Sequence, residues 1–186
     1  MKRVVVAAVV LLQLLTGCTD LDSDLDRAMA LRQKLQQNAC SFEAEVTADY
    51  SDALYTFKML CEADVNGDLT FTVMEPETIA GISGLIDQSG GKLTFDDTVL
   101  AFKLLADEQI SPVSAPWILL RTLRSGYIQA ASGTESGLKL IINDSYEEDS
   151  LQLDIWLDGN DQPEEAEILF GGRRILSIKL SEFAFL

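Results

Sequence analysis

Three cysteines and 30 acidic residues hold most of the reactive chemistry available to this 186-residue chain, which contains no histidine. Without imidazole there is no His-based triad, no His metal ligand and no acid–base group poised near neutrality. Carboxylate pairs and oxygen-ligated calcium survive that filter. The segments "DVNGD" and "DGND" carry oxygen ligands at calcium-like spacing. Neither continues to the bidentate glutamate of a full calcium loop, and hairpin turns account for both. "SYEED" and "PEEAE" offer carboxylates that could act as a catalytic pair, but they fall in or beside turns, where solvated charge is the ordinary state. Ser111 and Ser125 have no base nearby in sequence, and no Gly-x-Ser-x-Gly elbow occurs. The chain therefore reads as a non-enzyme with no metal site and no cofactor. The cysteines remain.

Cys18 stands at the end of a greasy leader. Met1-Lys2-Arg3 is a positive start, and the apolar run over residues 4–15 is interrupted by Gln13. A membrane-spanning helix needs about 20 apolar residues, so this run reads as the core of a secretory signal. The run closes on Leu15-Thr16-Gly17-Cys18, which resembles the lipobox of bacterial lipoproteins. That resemblance implies removal of residues 1–17 and a diacylglyceryl group on the Cys18 thiol. Each buried methylene contributes about 0.8 kcal/mol, and stable attachment takes about two acyl chains. The expected state is an exported protein anchored to the outer face of the plasma membrane, or to the outer membrane where the host has one. Residues 18–26, "CTDLDSDLD", read as the lipidated cysteine and an acidic tether.

The formal charge is −16, and loss of Lys2 and Arg3 with the leader makes it −18. So acidic a surface repels nucleic acid, which is excluded as a partner. About 170 residues follow the leader, enough for one domain with a sizeable core. Residues 27–186 are read as that domain.

Residues 22–38 read as a helix, with Leu21 just before it and Leu25, Ala28, Met29, Arg32 and Leu35 within it near one stripe at helical spacing. The period then changes to two. Phe42, Ala44, Val46 and Ala48 alternate with Glu43, Glu45, Thr47 and Asp49, and Tyr55, Phe57, Met59, Cys61 and Ala63 repeat the pattern. A two-residue turn at Tyr50-Ser51 sets Val46 opposite Tyr55, Glu43 opposite Lys58 and Cys40 opposite Cys61. In an exported domain that juxtaposition leads us to expect a Cys40–Cys61 disulfide, two buried free thiols acting as small hydrophobes being the other reading. A three-residue loop, Val65-Asn66-Gly67, puts Leu69, Phe71 and Val73 on the Phe57 face. Strands are expected at 78–87, 92–95 and 99–104. Ser111-Pro112 then opens a helix that stops at Gly126. Further strands follow at 127–131, 138–145, 151–157, 166–170 and 174–183.

This order, a helix, a long antiparallel meander, a mid-chain helix and more hairpins, together with the lipobox and phrases such as "NGDLTFTVMEPETIAGISG" and "GGKLTF", resembles the LolA/LolB-like superfamily of envelope lipoprotein-sorting proteins. The resemblance implies an α+β fold, in which a strongly curved antiparallel half-barrel sheet has its concave face covered by the N-terminal and mid-chain helices. It also implies a cavity between sheet and helices that holds acyl chains. On such a fold Phe57, Met59, Phe71, Val73, Leu153, Ile155, Ile168 and Phe170 fall on the inner face, with Trp117 contributed by the covering helix. Packed core is the other reading of the same stripe. Two functions follow. One is carriage of a lipid or an acylated protein in the cavity. The other is an RseB-like envelope sensor or scaffold, with a filled core, acting through a protein partner. A continuous cavity marks the first, and a filled interior with an exposed apolar patch marks the second.

Overall fold

The computed structural model describes residues 19–49, 54–95, 98–102, 105–106, 109–147 and 150–186, with backbone alone for 19–22, 102, 105–106 and 109. Cys18 and the leader lie outside the described residues. Helix α1 (Thr19–Gln37) starts three residues before the expected residue 22 and ends one before residue 38. Lys34 in its last turn suits the helix dipole. Ala28, Leu31 and Leu35 are its buried stripe, while Leu25 and Met29 face solvent.

Eleven strands then form one open antiparallel sheet. They are β1 (Cys40–Asp49), β2 (Leu54–Ala63), β3 (Leu69–Glu75), β4 (Ser83–Asp87), β5 (Gly90–Phe95), β6 (Thr98–Phe102), and, after the mid-chain helix, β9 (Tyr127–Gly133), β10 (Leu138–Asn143), β11 (Leu151–Leu157), β12 (Pro163–Phe170) and β13 (Arg173–Phe185). β7 (Leu105–Ala106) and β8 (Gln109–Ile110) make a small separate hairpin. The spatial order is β6-β5-β4-β3-β2-β1-β13-β12-β11-β10-β9, so two sequential meanders are joined through β1 and β13. The expected curved α+β architecture, with two helices on an unclosed sheet, is what the chain adopts.

The mid-chain helix starts later than Ser111-Pro112 suggested. Pro112–Ser114 is a single 3₁₀ turn, and α2 runs Ala115–Ser125 with Pro116 in its first turn. Proline tolerates the start of a helix but not its interior, so Pro116 sets the boundary. Ser111 caps nothing through its side chain; instead Ser114 Oγ donates to Ser111 O at 2.6 Å. Gly126 ends the helix in an extended conformation.

Two corrections concern the first half of the sheet. β1 and β2 pair from Asp49↔Leu54, so four residues connect them, and the expected Tyr50-Ser51 turn lies outside the described residues. The register moves by two: Val46 meets Phe57, Glu45 meets Lys58, and Cys40 meets Ala63. A shift of two keeps every side chain on its face, so the inner set is unchanged. Residues 78–82 form a turn rather than the start of β4, and the β4–β5 turn falls at Gln88 and Ser89 rather than at the glycine pair. The β2–β3 loop is as expected, with Met59, Cys61 and Ala63 opposite Val73, Phe71 and Leu69, and with Gly67 at φ 99°.

The outer face of the sheet is solvated. One row runs Glu75–Lys58–Glu45–Lys179–Glu165–Trp156–Lys139 across seven strands, charges alternating in sign until Trp156. Lys139 Nζ lies 4.5 Å from the Trp156 ring centroid. Opposite charges directly across a ladder are favourable.

Candidate functional site

The inner face is where the acyl-chain cavity was expected, and the alternation of apolar residues does bring most of its candidates together. Phe57, Met59, Phe71, Val73, Trp117, Leu153, Ile155 and Ile168 are all buried, and all belong to one hydrophobic cluster with the inner residues of α1 and α2. Phe170 does not join them. It ends β12 beside the Gly171-Gly172 turn, paired with Leu151 and Arg173, and is 43% exposed.

The helices are fastened over this face by polar contacts that hydrophobic periodicity does not reveal. Trp117 Nε1 donates to Gly67 O at 3.0 Å, and Arg124 Nη2 donates to Asp64 O at 2.8 Å. Both reach the β2–β3 turn from α2. From α1, Arg32 donates through Nε to Leu123 O at 2.8 Å and through Nη2 to Gly126 O at 2.7 Å. Gln36 Nε2 donates to Arg124 O at 2.8 Å. Burial lowers the Arg32 pKa, yet its charge sits at the negative end of α2, where cations are favoured. A helix so secured is a cover rather than a loose plug.

The expected Cys40–Cys61 disulfide is not formed. Cys61 stands opposite Phe42, and both thiols are free and buried. The two-residue register change makes them diagonal rather than direct neighbours, and diagonal positions stand farther apart than a disulfide allows. Burial pushes the Cys40 thiol up to about 11, with Arg124 pulling it back part of the way. Burial raises Cys61 as well, and Cys40 alongside adds to the effect.

Both calcium-like segments are turns. Asp64 Oδ1 accepts the N–H groups of Asn66, Gly67 and Asp68 at 2.9, 2.8 and 3.0 Å. Asp158 Oδ1 accepts those of Asn160 and Gln162 at 2.8 and 2.9 Å. These carboxylates are spent on their own backbones. Among the described residues no group of three or more His, Cys, Asp or Glu could hold a metal ion. Of the "PEEAE" acids, Glu167 accepts from Arg174 Nη1 at 2.6 Å, and Glu165 faces Lys179. Ser125 Oγ donates to Arg121 O at 2.8 Å. None of these groups is arranged as a nucleophile with a base.

The groove the structure does show lies on the other face of the sheet. Its volume is about 580 Å³, and Leu60, Thr70, Thr72, Leu85, Lys92 and Val99 line it across β2 to β6. Gly84 lies beneath it, where a Cβ would come within 2.7 Å of the Phe71 ring and 2.5 Å of Lys92 O. Phe95 and Leu100, on the opposite face of β5 and β6, are exposed as well. The signal for this region in the sequence is the uncharged run Thr98-Val99-Leu100-Ala101-Phe102, which alternation assigned to an ordinary strand.

No family model matches the chain, and no curated protein matches it. Solved structures do resemble it. A conserved protein from Thermus thermophilus is 12% identical with a TM-score of 0.48, covering 90% of this chain and 88% of that one. A LolA superfamily protein from Nitrosomonas europaea is 9% identical with a TM-score of 0.45, over 86% and 93% of the two chains. The Mycobacterium tuberculosis lipoprotein LppX is 12% identical with a TM-score of 0.41, over 86% and 96%.

Proposed function

We propose that this chain is an exported binding protein of the cell envelope, anchored to a membrane by a lipid on Cys18, that acts through a protein partner on its exposed face. The observation that carries this choice over internal lipid carriage is the burial of eight expected cavity residues in one hydrophobic cluster. A carrier needs its apolar wall open to the ligand. Here the wall is covered by two helices whose ends are hydrogen-bonded in place. On the outer face of β2 to β6, exposed Leu60 and Val99, together with Leu85 in the groove, supply the apolar patch that partner binding calls for. Anchoring rests on the leader and the lipobox resemblance. Among the described residues no helix is long and apolar enough to cross a membrane.

The test is mass spectrometry on the full chain extracted from membranes. The intact mass should show loss of residues 1–17 and gain of a diacylglyceryl group, both abolished by Cys18→Ser. Native spectra should show no further lipid at one-to-one stoichiometry. A noncovalent lipid released by Phe71→Asp, in a variant that still folds, restores the carrier reading.

A further inference from the structure

An open sheet has two edges, and this one treats them differently. At β9 the edge is guarded: Asp24 Oδ2, from α1, accepts the N–H of Gly133 at 2.6 Å. The β9–β10 ladder also carries a register shift at Ile141/Ile142, and bulges of this kind bend an edge away from pairing. Among the described residues β6 shows neither device. The strand holds five residues with no charge and no proline. Its register with β5 runs unbroken from Phe95↔Thr98 to Gly91↔Phe102, and among the described residues no strand pairs with its other side. Val99 and Leu100, on opposite faces, are 62% and 60% exposed. Edges of this kind are templates for another strand.

We propose that β6 is a docking edge that takes an extended segment of a partner protein as a twelfth strand, and that this segment is apolar and β-branched with basic flanks. Main-chain hydrogen bonds supply the affinity in such additions, and pockets for alternate side chains supply selectivity. On one face the incoming side chains lie beside Val99, at the rim of the groove with Leu85 and Thr94. On the other they lie beside Leu100 and Phe95, which share the face of Leu93. Both faces ask for apolar or β-branched residues. Charge selects against a second copy, since each chain carries a net −16, or −18 without residues 1–17; it favours a segment with lysine or arginine on either side. The proposal rests on the partner-binding reading above.

The test uses the full chain in detergent and a synthetic peptide, Lys-Lys-Thr-Val-Thr-Val-Thr-Lys-Lys. A control peptide of identical charge and side chains is N-methylated at alternate residues. Saturable binding that slows hydrogen exchange over residues 98–102 at least tenfold, and that the methylated peptide loses, is the expected result. Val99→Glu should weaken binding tenfold or more even though it adds attraction for a basic peptide. Binding that persists with the methylated peptide or with Val99→Glu, or that leaves 98–102 unprotected, overturns the proposal, as does no binding at millimolar peptide. A concentration-dependent dimer with 98–102 already protected replaces the partner segment by a second copy. A stoichiometric bound lipid counts against the partner-binding reading itself and is scored separately, by native mass spectrometry.

Discussion

Arg27 donates from both Nε and Nη2 to the same oxygen of Asp161, at 3.0 and 2.6 Å. Asp161 itself sits at φ 61° in the β11–β12 turn, so one residue holds an unfavourable backbone conformation and anchors α1. The two roles separate by substitution. Asp161→Ala loses the pair and keeps the positive φ, and should cost about 1–2 kcal/mol. Asp161→Gly loses the pair but relieves the backbone, and should fall within about 0.5 kcal/mol of the parent. Urea unfolding checks both; equal losses would mean that the backbone conformation contributes nothing.

Arg32 should matter more than Arg27. Its two charge-assisted bonds end on α2 carbonyls that have no intrahelical donor. Arg32→Ala is expected to cost about 2–3 kcal/mol and to raise hydrogen exchange in α2. Arg32→Lys should recover about half. An alanine variant as stable as Arg27→Ala contradicts this account of how α2 is held.

Acid should loosen the two aspartate turns. Burial raises the Asp64 carboxyl, but donors from the Asn66 side chain and from the Asp68, Gly67 and Asn66 backbone outweigh it and hold the group below its ordinary value. Asp158 is held down likewise, its burial outweighed by the Gln162 and Asn160 donors. A depressed carboxyl contributes its stability above the unfolded value of about 3.9 and loses it as pH falls through the folded value. Asp64→Asn should therefore lower Tm at pH 7, for a loss of about 1 kcal/mol. It should also show a smaller further drop than the parent between pH 5 and pH 2. Parallel pH profiles for the two proteins would exclude the linkage.

Cys40 and Cys61 should be silent while the protein is folded. A thiol pushed up to about 11 is almost wholly protonated at neutral pH, and the thiolate is the reactive form. Iodoacetamide at pH 7.5 should label neither residue in the native protein and both in urea without reductant. Recovery of a Cys40–Cys61 cross-linked peptide from a non-reducing digest would overturn the β1–β2 register.

The sequence disclosed faces better than neighbours. Strand alternation placed Phe57, Met59, Phe71 and Val73 on the inner side because a register shift of two leaves parity untouched, whereas the partners of those residues depended on a turn whose length the sequence did not reveal. Helix α1 was found, but its stripe was read through Leu25 and Met29 rather than Leu31, because several apolar rows on a short helix satisfy the same spacing. Phe170 kept the period of its strand and is still 43% exposed, because alternation fixes the face of a side chain and not what packs on it. The contacts of Arg32, Trp117 and Arg124 with backbone carbonyls were not legible at all. They depend on where two helices end in space, and no local pattern encodes that. Nor does alternation distinguish a packed inner face from a hollow one.

The strand order also sets a reach. α1 begins at Thr19, one residue beyond Cys18, and is docked on β9 through Asp24. With the proposed lipid on Cys18, the molecule would be gripped at its β9 end with almost no slack. β6 stands at the other extreme of eleven strands, about 48 Å away measured along the sheet at about 4.8 Å per strand. The sheet curves between these two ends and is moored at one of them. Spacer residues inserted between Cys18 and Thr19 would pay out line at the mooring and change how far into the envelope the free end extends, while leaving β6 itself untouched.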